Sequence, residues 1–167
     1  MPSLVWTIVL ALAAGASAAE KGKTLEDMRA FLPPAEVLGT TCTLRVLDDE
    51  DGQTPYLSAS RASVDRLVEM WFGAGTVSNV QAVGYATYSS EGHRIGMYMY
   101  AFDNAEDADT VAAYLSGDSD PNEEASYDAL VRHGKYLVYL WRNPSYTGNC
   151  FERIREHLDR SVRAATQ

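Results

Sequence analysis

Apolar residues recur along this chain at two spacings, one typical of helices and one typical of strands. In four stretches they return every three or four residues, which places them on one face of an α-helix. Polar residues that can accept a backbone hydrogen bond, Thr24, Asn104 and Asn149, stand at the predicted starts of three of these helices. The spacing predicts helices over residues 24–32, 58–73, 104–116 and 149–162.

Elsewhere apolar and polar residues alternate, which is the pattern of a β-strand with one buried face. Two pairs of these stretches are joined by short turn sequences, Glu91-Gly92-His93 and His133-Gly134, which indicate β-hairpins. The alternation predicts strands over residues 36–47, 77–90, 94–102, 127–132 and 136–142.

The predicted elements follow one another in the order α-β-α-β-β-α-β-β-α. A helix followed by a hairpin occurs twice, over residues 58–102 and 104–142, and a weak internal duplication is one explanation. The central βαββαβ run has the order of the ferredoxin-like, split βαβ pattern, with one extra strand and terminal helices. We therefore expect an α+β fold in which helices pack on a mostly antiparallel sheet of about five strands.

The beginning of the chain has the features of a secretory leader. An apolar run over residues 4–12 is followed by small residues and by the A-x-A site Ala16-Ser17-Ala18, which predicts cleavage near Ala18 or Ala19. An uncleaved membrane anchor is the alternative, but the apolar segment is shorter than the ~20 residues that span a bilayer. We expect no stable membrane span once the leader has been removed.

This interpretation divides the chain into a signal peptide, residues 1–19, and a single domain, residues 20–167, that begins with a polar linker at residues 20–23. The predicted location is periplasmic or extracellular. In such an oxidising compartment Cys42 and Cys150 can persist as a disulfide. A two-cysteine metal site and two buried thiols are the alternatives.

Charge limits the partners that this domain can have. The chain carries 14 Lys and Arg against 23 Asp and Glu, a net charge of −9. Nucleic acid is therefore not an expected partner, because phosphate binding depends on clustered basic side chains. We expect an unknown small molecule or a protein instead.

Catalytic and metal-binding motifs do not stand out in the sequence. Asp118, Asp120 and Glu123 could form a weak Ca²⁺ site, but they do not fit the EF-hand pattern, and a solvated acidic loop is the favoured explanation. His93 and His133 fall in the two predicted hairpin turns, where histidines are usually solvated. We expect no catalytic residue, no cofactor and no metal.

The most unusual local feature is aromatic. Tyr98 and Tyr100 alternate along one predicted strand, and Tyr139 and Trp141 alternate along another, so each pair lies on one face of its strand. A sheet face with these four side chains would suit a sugar, an apolar small molecule or a protein, because Tyr and Trp combine apolar area with a polar group. The alternative is that a helix covers this face, and that strand propensity alone explains the tyrosines.

Several segments together resemble exported bacterial domains of unknown function. The segments are the helix end Leu32-Pro33-Pro34, the helix over residues 64–72 with the strand pair after it, the strand Tyr98–Asp103 leading into Ala105–Ala108, and the strand Gly134–Val138. This resemblance implies a bacterial envelope or secreted domain, and it supplies no catalytic residue.

Taken together, these features predict an exported, non-enzymatic domain that binds a small ligand or a partner protein. Two other interpretations remain open. One is a small enzyme with a cavity between sheet and helices, and the other is a structural subunit of an envelope assembly.

Overall fold

The computed structural model describes residues 18–49, 52–117 and 128–165, and its centre is an antiparallel β-sheet with helices packed on it. The predicted α+β class is confirmed. The strands are β1 (Thr43–Leu44), β2 (Leu47–Asp49), β3 (Gly52–Thr54), β4 (Tyr56–Ser58), β5 (Val80–Ser90), β6 (His93–Phe102), β7 (Asp128–His133) and β8 (Tyr136–Arg142). The helices are α1 (residues 18–30), α2 (Ala35–Leu38), α3 (Arg61–Phe72), α4 (Ala105–Gly117) and α5 (Cys150–Ala164).

The main sheet has the order β1-β5-β6-β8-β7, and β4 lies beside β1 along the outer edge of β5. Both predicted hairpins are present, β5 with β6 and β7 with β8. They are joined through β6 and β8, which pair with Tyr98 opposite Tyr139. β2 and β3 form a separate two-stranded ribbon.

The predicted order βαββαβ occurs, from β4 through α3, β5, β6 and α4 to β7, but the ferredoxin-like pairing is wrong. That pattern requires a parallel pair of strands on either side of a crossover helix. Here β4 pairs antiparallel with β5 itself, with Tyr56 opposite Tyr85. Strand β6 pairs with β5 on one side and with β8 on the other. No strand that precedes β5 in the chain can therefore lie beside β6, as the ferredoxin-like pattern would require.

Helices cover both faces of the sheet. Helices α1 and α5 pack on the face that carries Met97 and Met99. The apolar residues that recur at helical spacing in α5, Phe151, Ile154, Leu158 and Val162, are fully or almost fully buried there. Helices α3 and α4 pack on the other face, around Val83 and Leu137. We call this second face, which carries Tyr85, Tyr98, Tyr100, Tyr139 and Trp141, the aromatic face.

Residues 36–47 do not form the single strand that their alternation predicts. Residues Ala35–Leu38 are helical, and β1 is only two residues long. Helix α2 ends at Gly39, which has a φ of 71° and against which Arg153 of α5 packs. Arg153 also donates a hydrogen bond from Nη1 to the Leu38 carbonyl at 3.1 Å, so α5 holds this segment away from the sheet.

The predicted polar linker at residues 20–23 is also wrong, because α1 already includes these residues. Thr24 is buried inside this helix and does not cap it, and its hydroxyl accepts a hydrogen bond from Lys135 Nζ at 3.3 Å. The other two predicted caps have different outcomes. Asn104 Oδ1 accepts the Asp107 N–H at 3.0 Å as expected. Asn149 makes no side-chain capping hydrogen bond, and at the start of α5 the N–H of Cys150 donates to the Tyr146 hydroxyl at 2.9 Å.

The predicted disulfide is confirmed between Cys42 and Cys150, whose Cα atoms are 5.5 Å apart. Both cysteines are buried, and the bond joins the segment before β1 to the first residue of α5. Within the described ranges no helix is long and apolar enough to cross a membrane. The acidic segment with Asp118, Asp120 and Glu123 lies outside the described residues, as does most of the predicted leader.

Candidate functional site

The strand register determines which aromatic side chains are neighbours. Tyr98 lies opposite Tyr85 of β5 on one side and opposite Tyr139 of β8 on the other, so these three side chains form a row across the aromatic face. Two residues before Tyr98 on β6, Gly96 lies opposite Thr87 of β5 on one side and opposite Trp141 of β8 on the other. Directly opposed residues in antiparallel strands point to the same face, so Thr87 and Trp141 extend the row into a surface.

A cleft remains on this surface because the helices are shorter than the strands. Strand β5 has 11 residues, about 36 Å, whereas α3 has 12 residues, about 18 Å. Helix α3 packs over Val83 and Tyr100 and leaves the part nearer the β5–β6 turn open. The cleft between α3 and this part of the sheet has a volume of about 440 Å³, which is within the usual range for small-molecule sites.

The floor of the cleft depends on a glycine. Gly96 is buried, and a Cβ atom placed there would overlap the indole ring of Trp141. The ring therefore lies directly over the backbone at position 96, where no other residue type leaves room for it. Half-buried Trp141 consequently forms part of the floor as a flat apolar surface.

Trp71, near the end of α3, forms the wall of the cleft. Its ring centroid is 4.5 Å from that of Tyr98, and it meets Tyr85 edge to face at 6.3 Å. Tyr56 of β4 stacks on Tyr85 at 5.6 Å on the other side. The aromatic lining therefore consists of rings that support one another, which limits the side-chain entropy that a bound ligand would have to remove.

Polar groups stand at the rim. Arg66 of α3 and Arg94 of β6 are exposed there, and Thr87 contributes a hydroxyl. The Tyr56 hydroxyl donates a hydrogen bond to Ser63 Oγ at 2.9 Å. This hydrogen bond and, to a smaller extent, the nearby Arg66 guanidinium hold the pKa of Tyr56 below its ordinary value, although burial opposes them.

The four aromatic residues predicted from the sequence have different positions in this site. Tyr98 and Trp141 line the cleft. Tyr139 is half-buried and stacks parallel to Tyr98 at 6.3 Å, outside the lining. Tyr100 is buried in the core under α3 and α4, and this burial raises the pKa of its phenol. Ligand binding by the four residues stays a prediction, and direct contact is open to Tyr98 and Trp141.

Sequence reasoning missed the other half of the lining. Tyr56 falls in a strand of three residues that the alternation did not reveal. Trp71 shares the apolar helical spacing of Val64, Leu67 and Val68, so the sequence alone places it on an inward helix face. Gly96 gave a weak signal, because a glycine inside a strand often marks a close approach of another group. No sequence feature marked Arg66 and Arg94 as binding residues, since exposed arginines are common.

The histidines lie away from the cleft. The His93 ring packs on Tyr146 with centroids 5.7 Å apart, and His133 is exposed at the end of β7. His157 of α5 is half-buried on the opposite face, with Nε2 3.0 Å from the carbonyl oxygen of Ala30. Across the described ranges no three His, Cys, Asp or Glu side chains come together in a way that could hold a metal ion.

His157 predicts a pH dependence of stability. Burial, and secondarily Arg160, lower the pKa of His157 in the folded protein, although the hydrogen bond with Ala30 opposes them. Below the unfolded value of about 6.5 the unfolded chain therefore binds a proton that the folded protein does not yet accept. We expect the free energy of unfolding to fall as the pH decreases below about 6.5 and down through the lowered pKa.

Urea unfolding at a series of pH values measures this slope for the wild type, His157→Gln and the exposed control His133→Gln. The slope should become shallower in His157→Gln and stay unchanged in His133→Gln. Equal slopes in all three proteins would contradict the assignment.

No family model, no curated protein and no solved structure matches this chain.

Proposed function

We propose that this protein is an exported, non-enzymatic domain that binds a small molecule in the cleft between α3 and the aromatic face. The observation that carries the proposal is the cleft of about 440 Å³ with Trp71, Tyr98 and Trp141 exposed to its interior. Rigid aromatic lining with a few polar groups at the rim is the usual composition of a ligand site.

The chemistry of the lining favours binding over catalysis. Among the described residues, the side chains that line the cleft include no carboxylate, imidazole or thiol, the groups that most often serve as general bases or nucleophiles. The second candidate, a small enzyme, is favoured by Tyr56 alone, whose pKa is lowered mainly by its hydrogen bond with Ser63 and to a smaller extent by Arg66. This second candidate would be favoured if chromatography detected a product after a bound ligand had been incubated with the protein.

Two observations support export. The leader-like segment at residues 1–19 has an A-x-A site, and the disulfide between Cys42 and Cys150 is of a kind that persists in oxidising compartments. The proposed location, periplasmic or extracellular, agrees with the resemblance to exported bacterial domains. Mass measurement of the secreted protein would test it, since a mature chain should begin at Ala19 or Glu20.

The binding site is tested by a thermal-shift screen of small molecules on the wild type and on Gly96→Ala. A ligand present at 100 times its Kd stabilises the folded protein by about 2.7 kcal/mol, which raises the Tm by several degrees. We expect Gly96→Ala to abolish these shifts, because the added methyl group displaces the Trp141 ring into the cleft.

Gly22→Ala is the matched control, because a methyl group at position 22 meets nothing within 4 Å. Trp141→Ala removes the ring without crowding it, and it should abolish the same shifts. Ligands that stabilise Gly96→Ala, Trp141→Ala and the wild type equally would show that the cleft is not the binding site.

A further inference from the structure

We infer that the ligand of the cleft is a molecule with a planar apolar ring and one anionic group, and that Arg66 and Arg94 bind this group. The inference rests on the proposed function, and it adds the chemical class of the ligand. It is drawn from the charge of the lining, from the placement of the two arginines and from the shape of the aromatic surface.

The charge of the lining is opposite to that of the protein. The chain has a net charge of −9, yet Arg66 and Arg94 are the charged groups among the described residues that line the cleft. Two guanidinium groups in the lining of one cleft, on a protein that is acidic as a whole, give an anion a preferred place to bind.

The two arginines are also available to a ligand. Several other basic side chains form ion pairs within the described ranges, for example Arg61 with Asp65 and Arg132 with Asp109. Among the residues whose side chains the structure describes, no carboxylate oxygen lies within 4.0 Å of Arg66 or Arg94. A guanidinium group presents several N–H donors in one plane, and it therefore suits a carboxylate, sulfonate or phosphate.

The positions of the two arginines indicate where the ring and the anionic group of the ligand would lie. Arg94 precedes Gly96 by two residues on the same face of β6, about 6.6 Å along the strand, so it stands beside the Trp141 ring and not under it. Arg66 is on the helix that forms the opposite wall. A ring that stacks on Trp141 can therefore carry an anionic substituent at the rim, between strand and helix.

A pair of fluorescent probes that differ in charge alone tests the inference. Anilinonaphthalene sulfonate and phenylnaphthylamine share the same rings, and the first carries a sulfonate that the second lacks. The experiment measures the Kd of each probe for the full chain by fluorescence titration. The variants are Arg66→Gln/Arg94→Gln and the control Arg29→Gln/Arg160→Gln, which removes two exposed charges from helices on the opposite face.

We expect the cleft double variant to raise the Kd of the sulfonate about tenfold, and the Kd of the neutral probe less than twofold. The control should leave both values unchanged. Raising NaCl from about 20 mM to about 500 mM should weaken sulfonate binding to the wild type and affect the double variant little, because salt screens charges at an exposed rim.

Gly96→Ala distinguishes the possible failures. If both probes bind the wild type and Gly96→Ala abolishes binding, but the arginine variants change the two Kd values equally or not at all, the anion inference is overturned and the proposed site stands. If Gly96→Ala leaves the binding of both probes unchanged, the probes bind elsewhere, and both the site and the inference are overturned.

Discussion

Replacing Cys42 and Cys150 together with alanine should lower the free energy of unfolding by about 4 kcal/mol. The disulfide closes a loop of 108 residues, and a cross-link of this length removes a large amount of conformational entropy from the unfolded chain. Since domains of this size are usually stable by only about 5 to 15 kcal/mol, the loss is a large part of the total.

Urea unfolding monitored by circular dichroism measures the effect, and the wild type in a reducing buffer should reproduce it without any substitution. Thr41→Ala, an exposed neighbour of Cys42, serves as the control and should change stability by less than about 0.5 kcal/mol. A loss below about 1 kcal/mol in both the double variant and the reduced protein would mean that the segment before β1 is held by its other contacts.

The second large effect is expected at Phe31, directly after α1. Phe31 is fully buried and meets Tyr136 edge to face with centroids 5.3 Å apart. Truncation of such a ring leaves a cavity, so Phe31→Ala should cost about 3 to 5 kcal/mol. Arg29→Ala, an exposed position two residues earlier, is the control and should cost little.

Thermal and urea unfolding of the two variants would show whether the first helix belongs to the folded domain. Three other contacts of α1 predict that it does. Met28 is fully buried, the Tyr136 hydroxyl donates to Asp27 Oδ2 at 2.6 Å, and Lys135 reaches Thr24. A cost below about 1 kcal/mol for Phe31→Ala would contradict this arrangement.

The result bears on maturation of the protein. Cleavage near Ala18 or Ala19 would leave Thr24, Met28 and Phe31 in the mature chain and remove at most the first residues of the described helix. A leader peptidase can therefore act at the predicted site without removing any of the core contacts named here. Cleavage after Phe31 would cost the core two of its largest buried side chains.

Elements with long, regular patterns were predicted well from the sequence. The β5–β6 hairpin is one case, since Glu91 and Gly92 both have positive φ angles, 53° and 79°, as a tight two-residue hairpin turn requires. The stripe of α5 is another. Short elements were not predicted, because β4 has three residues and α2 has four, too few for a period to be recognised.

The candidate site was predicted in part. Alternation correctly placed Tyr98 with Tyr100, and Tyr139 with Trp141, on one face of each strand, and the register of β6 and β8 puts both pairs on the same sheet face. It could not show that Tyr100 lies under the helices while Tyr98 and Trp141 border an open cleft. That difference depends on where α3 ends relative to the strands and on the contact between Trp141 and Gly96, neither of which is local in the chain.

By itself, the sequence determined the class of fold, the two hairpins, the pairing partners available to Cys42 and Cys150, and the face that the aromatic residues share within each strand. Periodicity and turn chemistry depend on residues that are close together in the chain. The cysteine pairing follows because the chain contains only two cysteines. The tertiary structure decided the strand order, the antiparallel pairing of β4 with β5 in place of a ferredoxin-like crossover, and the cleft with Arg66 and Arg94 at its rim. These features come from packing between distant segments, where the relative lengths of helix and strand and the space above a single glycine determine what stays open.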